Sequence, residues 1–150
     1  MTPLDLTAQP PRSCRTELDG IVYLPRAIDK VRAELPGGNL GAYLNLRPDI
    51  PTLSSLFYRR MGITHEEFVA TVSEAPDEAA VVAWLRARAD PTAIEKFSRQ
   101  YLGIRLGVLD ADSHAAVCAL IPAARVATPE TLLIDVIDAD DAELFRASKS

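Results

Sequence analysis

The sequence predicts an all-α protein, an irregular bundle of about seven or eight helices with an extended N-terminal arm. Three observations carry that expectation. Apolar residues recur at spacings of three and four, which is one face of a helix. These segments open on capping residues, or on a cap followed by proline, and close on glycine or proline. The one short apolar stretch that would suit a strand, Ile104 to Leu109, has no partner to pair with.

The 150 residues read as a single helical domain, with the arm over 1–20 and the helical body over 21–150. Apolar types make up 48 % of the chain and charged types 25 %. A chain of this size removes roughly two-thirds of its extended surface from water on folding, so it can build a core without disulfides or metal.

The arm carries Pro3, Pro10 and Pro11, and the proline pair enforces extended geometry. Leu4 and Leu6 are its expected anchors. Helix one is expected from Gly20/Ile21 to Leu35, with Ile21, Leu24, Ile28, Val31 and Leu35 on its apolar face. Arg26, Asp29, Lys30 and Ala33 fall on the opposite, outward side. Pro25 is tolerated in the first turn, and Pro36-Gly37-Gly38 stops the helix.

Asn39 to Ile50 reads as a long loop with a short extended stretch at Ala42–Leu46. Thr52 caps a helix through Arg60, with Leu53, Leu56 and Phe57 inward and Gly62 as its end. Thr64-His65-Glu66-Glu67 is a capping box before Phe68, opening a helix to about Ser73. Asp77 caps the next, with Val81, Trp84, Leu85 and Arg88 along one side. Asp90-Pro91 opens a helix that buries Ile94, Phe97 and Tyr101. Gly103 closes it, with Leu102 on the core side.

Ile104 to Leu109 is taken as a loop or a turn of helix. Asp112 or Ser113 caps a short helix to Ile121, ended by Pro122. Thr128-Pro129-Glu130 opens a helix containing Leu132, Leu133, Val136 and Ile137. The Asp-rich stretch 138–141 breaks that helix, and a last turn holds Leu144 and Phe145.

The net charge of −5 is uneven. Residues 1–109 carry thirteen acidic and thirteen basic side chains, whereas residues 110–150 carry eight acids against three bases. This argues against a nucleic-acid footprint, which shows as a basic stripe. Arg59-Arg60 and Arg86-x-Arg88 read as solvated faces. The longest apolar stretch, Ala115 to Ala124, is too short to span a bilayer and contains Pro122. The N-terminus lacks the pattern of a signal peptide. With two isolated cysteines, Cys14 and Cys118, the expected setting is the cytoplasm.

The stretch DLTAQPPRS at Asp5–Ser13, followed by LPRAIDKVRAEL at Leu24–Leu35, resembles the start of a bacterial family known as domain-of-unknown-function family 5069. The likeness continues through Gly38–Tyr43, Met61-Gly62-Ile63, Phe68, Trp84 and the acidic Leu132–Asp141 segment, nearly the whole chain. The resemblance implies a small, largely helical cytoplasmic protein with no assigned activity, and it brings no catalytic residues with it. Family members often place a histidine and a cysteine near the loop after the first helix. Here that tract is Tyr43-Leu44-Asn45-Leu46-Arg47-Pro48, with neither, so no thiol or metal role attaches to it.

His114 and Cys118 are one helical turn apart, but two ligands do not make a metal site. Cys118, between Val117 and Ala119-Leu120-Ile121, reads as a core residue and hence an inert thiol. The acids at 135, 138, 140 and 141 lack the spacing of a calcium loop. No phosphate-binding glycine pattern is present, and no cofactor or metal is expected.

The polar set of interest is Arg26, Asp29 and Lys30 on helix one, with Arg12 and Arg15 from an arm folded back upon it. Tyr43, Asn45 and Arg47 in the adjacent loop would complete a pocket. The leading expectation is an interaction or ligand-binding module, a homo-oligomer or a binder of a small anionic ligand. The alternative is a small enzyme or anion-binding protein with a pocket between helix one and the following loop. There Arg26 would hold an anion, and Tyr43 or Asp29 would transfer a proton. The residues leave open whether the protein is an enzyme.

Overall fold

A computed structural model describes residues 1–43 and 52–147. Among these residues seven α-helices dominate, α1 (Leu24–Glu34), α2 (Leu53–Met61), α3 (His65–Glu74), α4 (Glu78–Arg88), α5 (Pro91–Tyr101), α6 (Ala111–Leu120) and α7 (Leu133–Ala147). The described residues also form a two-stranded antiparallel hairpin, β1 (Glu17–Leu18) and β2 (Ile21–Val22), and two short 3-10 turns at Leu106–Val108 and Pro122–Val126. The mostly α class and the irregular bundle follow the sequence expectation. The expected extended stretch at Ala42–Leu46 extends beyond the described residues.

The capping chemistry is where the sequence read most clearly. Thr52 and Thr64 each close a capping box, with Ser55 and Glu67 as the reciprocal partners. Asp77 and Asp90 accept from the backbone N–H groups of Ala80 and Thr92. Gly62 takes the left-handed cap of α2 at φ 66°.

Helix one begins later than expected. Leu18 pairs with Ile21 and Glu17 with Val22, so Asp19-Gly20 is a two-residue hairpin loop with both φ positive, 51° and 75°. Asp-Gly between apolar residues is the signal for that turn, and it stands in the sequence as Leu18-Asp19-Gly20-Ile21. Tyr23 then takes φ 74°, unusual for a residue with a side chain. Its ring is fully buried against Phe57 and Tyr101, at centroid distances of 5.5 and 5.4 Å. Aromatic packing holds the strained backbone there.

The aromatic core gathers Tyr23, Phe57, Phe68, Phe97 and Tyr101 from four helices or their caps. Its aliphatic members include Ile21, Leu24, Ile28 and Val31, the predicted face of α1, together with Val81, Leu85, Leu133, Val136 and Ile137. Val82 joins it, whereas Trp84 is half-buried and Arg88 is exposed beside Glu67. Leu102 is 37 % exposed, because α5 stops at Tyr101 and the chain turns away.

The second half departs further from expectation. Asp110, rather than Asp112 or Ser113, caps α6 by accepting from Ser113 N–H. Cys118 is half-buried, its thiol 3.7 Å from His114 Nδ1, and Ala116 is the buried residue of α6. Thr128-Pro129-Glu130 does not open a helix. Its carbonyls serve the 3-10 turn instead, with Gly107 N–H donating to Pro129 O at 2.8 Å and Leu106 N–H to Thr131 O at 3.0 Å. A Cβ on Gly107 would lie 2.8 Å from Pro129 Cβ, so the close approach requires glycine.

Nor do the acids at 138–141 end α7, which runs through them to Ala147. Aspartate is only a mild helix breaker, and two of these carboxylates meet arginines from elsewhere in the chain.

The arm is held as expected. Leu4 N–H donates to Arg32 O, Leu6 N–H donates to Asn39 O at 2.8 Å, and Asn39 N–H donates back to Leu4 O at 3.0 Å. Leu6 is buried against Ala33 and Tyr43.

Candidate functional site

The polar side of α1 is not outward. Arg26, Asp29 and Lys30 are 5, 5 and 6 % exposed, because the arm and α7 cover that side of the helix. A helix buried all round must neutralise its charges internally, and α1 does so in two different ways.

Toward the arm, every charge is closed. Arg12 reaches back and grips Asp29 with two guanidinium bonds of 2.8 and 2.9 Å, while its backbone N–H donates to the same carboxylate at 2.9 Å. It also donates to Glu78 of α4 and to Pro25 O. Arg26 is bidentate on Asp141 of α7, at 2.6 and 2.9 Å, and donates to Arg12 O at 3.2 Å. Burial works against the Arg26 charge, but the bonds to Asp141 outweigh it and hold its pKa above the ordinary value. Arg15 bonds both Asp135 and Asp138, and Ser13 donates to Asp138 at 2.9 Å. The acidic C-terminal helix is thus in part the counter-charge of the N-terminal arginines.

Toward α2, the arrangement is open. Lys30 donates from Nζ to Ser54 Oγ at 3.0 Å, and Ser54 is 3.1 Å from the Tyr23 hydroxyl. Among the described residues no carboxylate pairs with Lys30. Burial, reinforced by the neighbouring Arg26 charge, lowers its pKa from 10.5 to about 7. At neutral pH a large share of this side chain is therefore free amine.

Lys30 lines a cleft of about 230 Å³. Its walls are aliphatic, from Leu53 and Leu56 of α2, Val117 and Leu120 of α6, and Leu133 and Ile137 of α7. Arg26, Tyr43, Arg59, Asp140 and Asp141 supply the polar part. Tyr43 lies under the Arg26 guanidinium at 5.8 Å, and its buried hydroxyl has no hydrogen-bond partner among the described residues. Burial raises that hydroxyl to about 12, so it remains protonated and able to donate. Burial also raises the Asp140 carboxyl, with Asp141 and Glu143 adding to the effect.

Of the predicted site residues, Arg26, Lys30 and Tyr43 share this cleft. Arg12 and Asp29 are not among its lining residues and belong to the ion-pair seam. Asn45 and Arg47 fall outside the described residues. Sequence reasoning missed Ser54, Tyr23, Asp140 and Asp141. Thr52 marked the start of α2, which places Ser54 in its first turn, but nothing local told that this turn faces Lys30.

A second groove, about 400 Å³, runs between α2 and α5 past Arg59, Arg60 and Lys96. Its cations are exposed. No helix among the described residues is long and apolar enough to cross a membrane.

Fold and site together define a small helical protein with an apolar cleft lined by a buried amine. The family described as a domain of unknown function, DUF5069, matches residues 8–143, and the chain belongs to it. No curated protein matches the chain.

Proposed function

We propose that the protein is a ligand-binding module whose cleft takes a small molecule with an apolar body and a hydrogen-bond-accepting end, either a carboxylate or a carbonyl oxygen. The observation that carries this is Lys30, a buried amine that has no counter-ion among the described residues and lines an aliphatic cleft. A protein interior stabilises such a group poorly, and an acceptor from a ligand would relieve it. The unpartnered Tyr43 hydroxyl offers a second donor in the same place.

This reading replaces the outward face of α1 as the binding surface, since that face is covered by the arm and α7. Asp29 is engaged by Arg12, which removes it as a proton carrier for the cleft. Arg26 is engaged by Asp141, so among the described residues of the cleft Lys30 and Arg59 are the cations left to meet an anionic end.

Titration of hexanoate and hexanol into the full chain, followed by amide NMR, tests the reading. Saturable shifts confined to Tyr43, Leu56, Val117 and Leu133 are expected, and Val117→Phe should remove them at an unchanged fold. Unsaturable shifts scattered over the surface would count against a cleft.

A further inference from the structure

We infer that Lys30 is a nucleophile that condenses with an aldehyde or ketone in the cleft to form an imine. This deepens the binding reading above and rests on it, because the carbonyl compound must first enter the same cavity.

The geometry supplies what imine formation needs. A lysine becomes reactive when it is desolvated and placed beside another cation. Lys30 is 6 % exposed, sits one helical turn from Arg26, and is flanked by the cleft's aliphatic walls. Arg26 is committed to Asp141 at 2.6 and 2.9 Å, so it keeps its charge without competing for the amine's role. Ser54 positions Nζ, and Tyr23 in turn holds Ser54. Burial together with Arg26 leaves much of the amine unprotonated at neutral pH.

The step balances without any oxidant or co-reactant. The Nζ lone pair adds to the carbonyl carbon, and one amine proton passes to the carbonyl oxygen to give a carbinolamine. The carbinolamine hydroxyl then departs as water, taking a proton from Asp140, while the C=N bond forms. The remaining N–H proton returns to Asp140. Asp140 suits this exchange because it is half-buried on α7, lines the same cleft, and is held above the ordinary carboxylate range.

The chain contains two other lysines, Lys96 and Lys149. They give an internal control, together with the N-terminal amine, which donates to the carbonyls of Val72, Ser73 and Ala75. The full chain is treated at pH 7 with hexanal and cyanoborohydride, which reduces an imine to a stable secondary amine. Peptide mass mapping then locates the alkyl group. Lys30 should be labelled at least about tenfold faster than Lys96, since an ordinary lysine near 10.4 has little free amine at this pH. Hexanol, which cannot condense, should slow the labelling by occupying the cleft, and in Lys30→Met no position should be labelled faster than Lys96. Asp140→Asn should slow labelling of Lys30 relative to Lys96.

Equal labelling of Lys30 and Lys96, or none at Lys30, in a protein whose cleft binds hexanol would overturn the inference and leave the binding reading standing. Failure of both hexanol and hexanoate to bind would overturn the two together. Unchanged labelling of the Asp140 variant would remove Asp140 from the reaction.

Discussion

Arg26 and Lys30 stand one turn apart on α1, equally buried, and the fold treats them in opposite ways. On the arm side of the helix, Arg26 and Arg12 have their carboxylates, Asp141 and Asp29, in bidentate contact. On the cleft side, Lys30 has a hydroxyl and no carboxylate among the described residues. The difference teaches that burial alone does not mark a functional group. A buried charge that is closed on a partner is architecture, and a buried charge left open beside a cavity is available for chemistry.

The largest expected effect comes from opening the closed side. Asp141→Ala should lower stability by about 3–5 kcal/mol, because it strands a buried guanidinium. A shift in the urea midpoint measures this. A loss under about 1 kcal/mol would show that water reaches Arg26 and that the contrast with Lys30 is false.

Replacing the open charge should act in the opposite direction. Lys30→Met keeps the bulk and removes the buried amine, so a gain of about 1–3 kcal/mol is expected at pH 7. The pH dependence has a definite sign. Below about 7, both folded and unfolded states carry the Lys30 charge, and the full cost of burying it is present. As pH rises from about 7 toward 10.5, the folded state sheds the proton while the unfolded state keeps it. The wild type therefore gains on the variant by on the order of 1 kcal/mol per pH unit across that window. Paired urea titrations from pH 6 to about 10 follow the gap. A gap constant with pH would mean that Lys30 titrates normally.

Arg12→Ala should cost about 1–2 kcal/mol, less than Asp141→Ala, because the arginine is a third exposed while Asp29 keeps little else. Hydrogen exchange should show the arm opening at Leu4 and Leu6. Protection unchanged there would mean that the backbone bonds to Arg32 and Asn39 suffice.

The smallest effect belongs to Arg15→Ala. Its pairs with Asp135 and Asp138 are about half exposed or a third exposed on the acid side, so a loss below about 1 kcal/mol is expected, vanishing in 1 M salt. Thermal melts with and without salt decide this. A loss that persists in salt would place Arg15 with the buried pairs.

What was legible in the chain by itself was local. The caps at Thr52, Thr64, Asp77 and Asp90 define helix starts, since their oxygens serve N–H groups two or three residues away. The apolar stripe Leu24, Ile28, Val31 marked the core side of α1 correctly. Periodicity says nothing about what covers the other side, and that side is covered by an arm 17 residues earlier and a helix 115 residues later. The Asp138–Asp141 run shows the same limit, because the arginines that meet its carboxylates stand at 15 and 26. Asp19-Gly20 was legible as a hairpin turn, but the apolar spacing of the following helix masks it.

The sequence thus determined the helical class, most helix starts and the apolar face of α1, because capping and periodicity act within one or two turns. Tertiary structure alone decided which of two adjacent cations on α1 is paired and which faces a cleft. That choice depends on carboxylates, hydroxyls and a cavity brought together across more than a hundred residues, and on the desolvation that only their packing creates.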